Sequence, residues 1–413
     1  MSEVEDYTAL LAYTSNSNYR WNSQVQLGTQ TVVTYSFVGS GELDDVADDP
    51  YGATSYWSFN NSQRSYFRQA LAEYEEISGL IFVEIDSPAM IDVFGYDGGS
   101  AAGWANYAWA SDYYTGNGDL AIESSSMAPG TYGYETVLHE IGHAVGLEHP
   151  HDGDHTLADH LDDQAHTVMT YTYGGYNVTE LGELDAEALQ HLYGDAEGGQ
   201  GWNTYVNSSG EVVIKASGRS EIVLATGQDT RVYAHAGNDT VKGREADDYL
   251  TGGRGEDHVL GGYGEDTLKG GHGSDTLVGG VDEGVYSGRN GENDKLCGNG
   301  GRDWLYGGNG DDILHGGNGQ DYLVGGAGSD VLTGGKHADV FVFVSADYWE
   351  QNRITDFGTG SDRIEISGSI PDSFSDLTIT QQNGNTLINY YGNHDIELTG
   401  YTGELTADDF IFS

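Results

Sequence analysis

A nine-residue pattern of glycine and aspartate constrains the fold of this chain more than any other feature. The unit is Gly-Gly-x-Gly-x-Asp-x-apolar-x, and it is complete at six aspartates: Asp257, Asp266, Asp275, Asp312, Asp321 and Asp330. Partial copies keep the same register at Asp239, Asp248, Asp294, Asp303 and Asp339. The residue two positions after each aspartate is always apolar: Val241, Leu250, Val259, Leu268, Leu277, Leu296, Leu305, Leu314, Leu323, Leu332 and Phe341. A flexible linker does not require such a register, so the pattern predicts a repeating structure.

The repeat predicts a parallel β-roll that binds calcium. Glycine allows tight or left-handed backbone, so six residues can form a turn and three a short strand with one inward apolar side chain. Successive turns then stack, with strands about 4.8 Å apart within a sheet. Each carboxylate and nearby glycine carbonyls face the adjacent turn, and such oxygens are the ligands that calcium prefers. We expect several structural calcium ions and coupled folding and binding; the candidate ligands are Gly253, Gly255, Asp257, Gly262, Gly264, Asp266, Gly271, Gly273, Asp275, Gly308, Gly310, Asp312, Gly317, Gly319, Asp321, Gly326, Gly328 and Asp330.

One stretch of the array is irregular. Asp275 and Asp294 are 19 residues apart, where two repeats would give 18. We interpret Val281 to Asn293 as a degenerate turn with a one-residue insertion that bulges at the surface.

The charge balance favours cations as partners. The chain holds 16 Lys and Arg against 66 Asp and Glu, a formal charge of −50. Such a surface disfavours nucleic acid and anionic membranes. A saline habitat, where salt screens the repulsion, and simple solubility are both open explanations.

Other sequence features exclude several structures. The single cysteine, Cys297, excludes an intramolecular disulfide. No apolar run approaches the roughly 20 residues of a membrane helix. Residues 1–13 are acidic and do not resemble a Sec-type signal peptide.

Hydrophobic periodicity predicts an α+β domain before the repeats. Strands are expected at Thr31–Phe37, Ile81–Ile85 and Asp119–Glu123, and helices at 62–78, 134–146 and 184–193. The predicted segments are 1–20, a propeptide remnant or N-terminal arm; 21–200, a zinc metalloprotease domain; 201–234, a bridging β segment; 235–341, the β-roll; and 342–413, a C-terminal β region with a secretion signal.

The segment His139-Glu140-Ile141-Gly142-His143-Ala144-Val145-Gly146-Leu147-Glu148-His149-Pro150 predicts a catalytic zinc site. His139 and His143 lie four apart on a helix, with Cβ atoms about 5–6 Å apart on one face. Gly146 can take positive φ and turn the chain so that His149 becomes the third ligand. Three neutral imidazoles leave one zinc position open, and Glu140 lies beside it.

With these residues the chain resembles the serralysins, secreted bacterial proteases of the metzincin class. The zinc motif, Thr167-Val168-Met169-Thr170-Tyr171, the helix Ala188 to Gly194 and the Gly-Asp array (the RTX repeat) all match. The resemblance implies an α+β metzincin catalytic domain followed by an all-β parallel β-roll. It implies that Met169 forms the hydrophobic base beneath one catalytic Zn²⁺. It also implies that Tyr171 is a zinc ligand that leaves when substrate binds and then hydrogen-bonds the oxyanion; a core aromatic is the alternative for Tyr171.

The expected function is a secreted, extracellular zinc endopeptidase. Glu140 is the expected general base, and the substrate is expected to add as a strand along Asp119–Glu123. We expect protein or peptide substrates, a monomer, and no nucleic-acid partner or membrane span. Residues 408–413 resemble the acidic and apolar tail of type I secretion substrates, although Ser413 departs from the apolar ending.

Three alternatives stay open from the sequence. A calcium-stabilised adhesion protein with a vestigial zincin domain and a different hydrolase or lyase are the other function classes. The loop between the zinc motif and Met169 either is a solvated acidic segment or holds a second metal; its acidic and histidine residues are His151, Asp152, Asp154, His155, Asp159, His160, Asp162, Asp163 and His166.

Overall fold

The computed structural model describes two compact units, Met1–Val212 and Val213–Ser413. The described residues are 2–14, 17–18, 20–23, 25–39, 53–86, 88–107, 118–123, 126–152, 155–175, 177–196, 201–280, 292–344, 351–368, 371–391 and 394–413. Within this part of the chain, no helix is long and apolar enough to cross a membrane.

Three α-helices belong to the first unit: α1 (Asn61–Ile77), α2 (Tyr132–Ala144) and α3 (Glu183–Tyr193). All three were predicted to within two residues at each end. A capping box starts α1, in which Asn60 accepts from Gln63 N–H while the Gln63 side chain accepts from Asn60 N–H. Phe67, Leu71 and Tyr74 form the buried face of this helix, as its hydrophobic spacing predicts.

The strands of the first unit are β1 (Ser2–Val4), β2 (Tyr13–Thr14), β3 (Ser17–Asn18), β4 (Thr31–Phe37), β5 (Ser55–Trp57), β6 (Leu80–Glu84), β7 (Ile91–Asp97), β8 (Gly103–Ala105), β9 (Gly118–Ile122), β10 (His155–Leu157) and β11 (Asn203–Val206). The main sheet has the order β6-β4-β7-β9-β8, and β5 also pairs with β7. Strands β6, β4, β7 and β9 run parallel, and β8 is antiparallel to β9. The core of this unit lies between the sheet and the helices and includes Val33, Val93, Leu120, Val137 and Leu189.

The predicted strand Asp119–Glu123 is correct in position but wrong as a docking edge. It is β9, and it already pairs with β7 on one side and β8 on the other. A substrate strand therefore has no free ladder on β9. Beyond β9 the sheet ends with β8, a three-residue edge strand that sequence periodicity alone did not reveal; β6 forms the opposite edge of the described sheet.

The second unit consists of stacked strands in two sheets. The strands are β12 (Val212–Lys215), β13 (Ile222–Leu224), β14 (Thr230–Ala236), β15 (Thr240–Arg244), β16 (Tyr249–Arg254), β17 (His258–Gly262), β18 (Thr267–His272), β19 (Thr276–Val278), β20 (Lys295–Gly300), β21 (Trp304–Asn309), β22 (Ile313–Asn318), β23 (Tyr322–Ala327), β24 (Val331–Lys336), β25 (Val340–Val344), β26 (Gln351–Ile354), β27 (Arg363–Ser367), β28 (Thr378–Gln382), β29 (Asn385–Tyr391), β30 (His394–Leu398) and β31 (Phe410–Phe412).

Consecutive repeats alternate between the two sheets of this parallel β-roll. From β14 to β26 the even-numbered strands pair in one sheet, and from β13 to β27 the odd-numbered strands pair in the other. The apolar position of the repeat forms the rungs between them, and all eleven of these side chains are buried, as predicted. Strand β30 extends the first sheet parallel to β26, and β29 and β28 follow it as antiparallel neighbours; β31 pairs with β27 at the end of the second sheet.

The interpretation of Val281 to Asn293 as a degenerate turn is wrong. Residues 281–291 lie outside the described part of the chain, but the register on either side decides the point. Leu268 pairs directly with Leu296, and Leu277 pairs directly with Leu305, so the stretch supplies no rung between them. Asp294 therefore stacks on Asp266, 28 residues earlier, and the extra residues form an insertion between two consecutive strands.

Candidate metal centre and calcium array

Helix α2 positions the first two histidines of the candidate metal centre. Thr131 caps its N-terminus, and its C-terminus ends in a Schellman motif: Gly146 N–H donates to His143 O (2.9 Å) and Leu147 N–H to Gly142 O (2.8 Å). Gly146 has φ of 98°, a left-handed conformation that suits glycine. The chain then turns back, and Glu148 N–H donates to Leu10 O (2.9 Å), which fixes the approach of His149.

The three predicted histidines converge through their Nε2 atoms. His149 Nε2 lies 3.2 Å from His139 Nε2 and 3.1 Å from His143 Nε2. Tetrahedral zinc with Zn–N bonds of about 2.0–2.1 Å requires nitrogens roughly 3.3–3.4 Å apart, so this spacing fits one ion. His139, His143 and His149 are also one of two groups among the described residues whose ligand atoms could share a metal.

An acceptor holds the other nitrogen of each ring. His139 Nδ1 bonds Val168 O (2.8 Å), His143 Nδ1 bonds Leu147 O (2.8 Å) and His149 Nδ1 bonds Asp152 Oδ2 (2.9 Å). These acceptors favour the tautomer with hydrogen on Nδ1, which leaves each Nε2 lone pair directed at the shared point. Asp152 was noted in the sequence only as part of an acidic loop.

Burial keeps the imidazoles neutral. Desolvation lowers the pKa of His139 to about 4 and holds the pKa of His143 well below its usual value. Both rings therefore carry available lone pairs at neutral pH. This donor set, three neutral imidazoles with their second nitrogens engaged, suits Zn²⁺.

Glu140 lies next to this point without being one of the three ligands. Its side chain is buried, and a Cβ built on Gly103 of β8 would lie 2.8 Å from its Cγ. Burial raises the pKa of the Glu140 carboxyl to about 8, an effect that a bound cation would oppose. Glu140, His139 and Gly103 of the edge strand line the same cavity.

Met169 packs beneath the helix that carries the histidines. It is fully buried, and a Cβ on Gly142 would lie 2.4 Å from its sulfur, so Gly142 permits this close contact. Asp185 of α3 holds the adjoining backbone: it accepts from Thr167 Oγ1 (2.6 Å), Val168 N–H (2.8 Å) and Gly182 N–H (2.9 Å). The sequence did not single out Asp185, although it lies three residues after Gly182 in a helix-start pattern.

Tyr171 lies over the histidine cluster. Its ring centroid is 4.5 Å from that of His149 and 5.6 Å from that of His139, and the side chain is 69% exposed. A core role for Tyr171 is therefore wrong. Tyr107, which follows β8, packs its ring against His143 at 5.4 Å.

The loop after the zinc motif contributes one further cluster. His149, His151 and Asp152 could share an ion, but His151 and Asp152 are exposed and Asp152 is already the acceptor of His149 Nδ1. Asp154 lies outside the described residues. A solvated acidic loop accounts for this arrangement.

The aspartates of the second unit form two ladders along the roll. Each backbone N–H donates to Oδ1 of the stacked aspartate in the next turn of the same row; Asp257 N–H donates to Asp275 Oδ1 (3.0 Å) and Asp312 N–H to Asp330 Oδ1 (2.9 Å). The second oxygen is buried and has no hydrogen-bond partner among the described residues at nine positions: Asp239, Asp248, Asp257, Asp266, Asp275, Asp303, Asp312, Asp321 and Asp339. A row of buried carboxylate oxygens without hydrogen-bond partners is unfavourable unless a bound cation compensates the charge.

The twelve glycines predicted as calcium ligands share one backbone conformation. All have positive φ, between 105° and 156°. Each ladder ends at a side chain that hydrogen-bonds to the backbone. Asn352 ends one ladder, where its Oδ1 accepts from Asp330 N–H. Asp362 ends the other, where it accepts from Asp339 N–H and Gly358 N–H.

Comparison with known sequences agrees with this architecture. Residues 224–259, 251–285, 290–323 and 315–343 match the RTX calcium-binding nonapeptide repeat. Serralysin of Proteus mirabilis is 28% identical over a region covering 46% of this chain and 45% of that protein. Serralysin A of Dickeya chrysanthemi is 26% identical over 44% of this chain and 42% of that protein, and metallopeptidase AprA of Pseudomonas marginalis is 26% identical over 39% and 40%.

The matched region is less than half the length of each of these relatives. The predicted resemblance is confirmed: the chain is similar to serralysin-type metalloproteases and carries RTX repeats. The predicted fold class, a metzincin-type α+β domain followed by a parallel β-roll, is confirmed with it.

Proposed function

We propose that this chain is an extracellular zinc-dependent endopeptidase whose β-roll folds with calcium. The observation that carries the proposal is the convergence of three Nε2 atoms beside the buried carboxylate of Glu140. The names of its relatives, serralysin and metallopeptidase, support the same enzyme class and imply zinc. The calcium-binding description of the repeat supports the expected calcium ions.

His139, His143 and His149 would hold one Zn²⁺. When bound, this ion supplies Lewis-acid chemistry: it polarises a peptide carbonyl and lowers the pKa of a water molecule toward about 7. Met169 fixes the floor of the site through Gly142. Tyr171 lies against the rings of His139 and His149 and is exposed to solvent.

Glu140 is the proposed general base. Its carboxylate takes a proton from the attacking water and passes it to the leaving amine, so that the C–N bond breaks with a neutral amine product. The developing oxyanion needs a hydrogen-bond donor, and the phenol of Tyr171 is the proposed donor. Its exposure and its position over the His139 and His149 rings support a side chain that moves when substrate arrives.

We propose β8, not β9, as the strand that receives the substrate. Asn106 N–H donates to Asp119 O and Glu123 N–H to Ala102 O, so the even-numbered residues of this segment form the ladder with β9. The backbone groups of Gly103 and Ala105 then point away from β9. An extended peptide added there would pass Glu140.

We also propose that the segments have the boundaries predicted from the sequence and that the chain is exported in an unfolded state. A roll with unsatisfied buried carboxylates is unstable without calcium, so low cytosolic calcium would keep the chain open for a type I machinery.

Glu140→Gln tests the mechanism in the full chain with calcium present. We expect casein and peptide cleavage to fall by at least about a hundredfold, the scale of a lost general base, while one zinc per chain remains. Glu187→Gln on the exposed face of α3 is the matched control and should keep full activity. Undiminished cleavage by the Glu140 variant would contradict the proposed base, and absence of both zinc and proteolysis in the natural chain would contradict the function.

A further inference from the structure

A cavity of about 300 Å³ opens beside the metal centre. Gly103 of the edge strand, Tyr171 and the catalytic helix form one side, so the cavity lies next to the bond that the proposed enzyme would cleave. Glu135, one helical turn before His139 on the same helix, and Gln164 from the loop also line the cavity. Neither residue has a role in the proposed mechanism.

Glu135 and Gln164 form a polar floor with a net negative charge. Gln164 is buried; its Nε2 donates to Glu135 Oε1 (2.5 Å) and its Oε1 accepts from Gly174 N–H (2.6 Å). Both ends of the amide are therefore engaged within the protein. Glu135 Oε2 is buried, and the backbone of Val178 also hydrogen-bonds the carboxylate, so the Glu135 charge is held by neutral groups of the protein.

Three tyrosines form the rim of the same cavity. Tyr132, Tyr171 and Tyr173 line it and are 60%, 69% and 65% exposed. Aromatic faces bind the aliphatic stems and the charged heads of lysine and arginine. Among the described residues that line the cavity there is no Lys or Arg to neutralise Glu135.

We propose that this cavity is a specificity pocket for the side chain of a lysine or arginine that flanks the scissile bond, recognised by Glu135. This inference rests on the proposed endopeptidase function. A cationic head would supply the counter-charge that the described lining of the cavity lacks, whereas an acidic side chain is repelled by Glu135 and an apolar one leaves the Glu135 charge without a cationic partner. The substrates are then proteins cleaved next to basic residues.

The test uses the zinc- and calcium-loaded chain and peptides that differ only at the residues on either side of the cleaved bond. We expect arginine and lysine peptides to exceed the leucine peptide in kcat/KM by about tenfold to a hundredfold, the scale of a charge-assisted hydrogen bond. Glu135→Gln keeps the shape of the side chain and should bring this ratio to about one. Glu76→Gln, an exposed change on α1 with the same effect on net charge, should leave the ratio unaltered. Zinc content and circular dichroism establish that the Glu135 variant is folded.

Binding of argininamide, measured by calorimetry, gives a readout that does not need catalysis. If argininamide binds the natural chain and this binding is lost in Glu135→Gln, the pocket is supported even when no peptide is cleaved. Binding without cleavage would contradict the proposed endopeptidase function and not the pocket. Cleavage without preference for basic residues, or a preference that survives Glu135→Gln, overturns the pocket and leaves the function intact.

Discussion

Removing calcium at different pH values should reveal how much the ionised aspartate ladders lower the unfolding free energy of the roll. In the calcium-free roll, burial raises the pKa of Asp266, Asp294 and Asp312 from 3.8 to about 8. Because the folded-state pKa is the higher one, the folded roll binds more protons than the unfolded chain between about pH 4 and pH 8. The stability of the calcium-free roll is therefore fully present below the unfolded pKa and is lost as the pH rises through the folded pKa.

The magnitude is large on the scale of a domain. A change from 3.8 to about 8 corresponds to on the order of 5 kcal/mol for a single ionised carboxylate. Since whole domains are stable by about 5–15 kcal/mol, ionising two or three of these groups suffices to unfold the roll. Bound calcium reverses the preference, because protons then compete with the ion for the carboxylates.

The assay is circular dichroism of the full chain in chelator between pH 4.5 and 8.5, with calcium added back at each pH. We expect β-roll signal at the acidic end, its loss toward the alkaline end, and its recovery there with calcium. Asp312→Asn, which cannot ionise, should shift the calcium-free transition to higher pH and weaken calcium binding. Glu404→Gln, which removes an exposed carboxylate of the same unit outside the ladders, is the matched control. A calcium-free roll equally folded at pH 5 and pH 8, or more folded at pH 8, would refute the reasoning.

Two further substitutions test the support of the metal centre. Asp185→Ala removes the acceptor of two backbone N–H groups and one hydroxyl, so we expect a loss of at least about 3 kcal/mol in unfolding free energy. Because Val168 O holds His139, the zinc affinity of Asp185→Ala in a chelator competition should also fall about tenfold to a hundredfold. The affinity of Asp185→Asn should lie between those of the natural chain and Asp185→Ala. Unchanged zinc affinity in both variants would show that Asp185 does not support the metal centre. Gly142→Ala places a methyl group 2.4 Å from the Met169 sulfur and should cost about 1–3 kcal/mol, measured by urea unfolding, whereas a neutral effect would show that Met169 can move aside.

The sequence predicted the structure correctly where neighbouring residues along the chain determine it. The spacing of His139, His143 and His149 around Gly146 defines the metal point because a helix and its C-cap fix all three. The apolar rungs of the array follow from a nine-residue period that each strand obeys independently. Helix bounds were accurate because stop signals such as Gly146 are encoded beside the helix they end.

The sequence was insufficient where a contact joins distant segments. Asp185 lies 17 residues from Val168, and no periodicity connects a helix N-terminus to the backbone beneath a zinc ligand. Edge strand β8 has only three residues, too few for alternation to distinguish it from a loop. The error at Val281 arose from spacing as well, since 19 residues are compatible with two turns until the pairing of Leu277 with Leu305 is known.

The alternation of repeats between two sheets sets a parity rule for changes in this array. Losing one nine-residue unit would transfer all later strands to the opposite sheet, whereas losing two units preserves every later assignment. Additional chain between Gly280 and Glu292 leaves the parity unaltered, because it begins after a strand of one sheet and ends before a strand of the other. The array is therefore expected to lose or gain nine-residue units in pairs. A foreign segment inserted at this junction would leave every later strand in its present sheet.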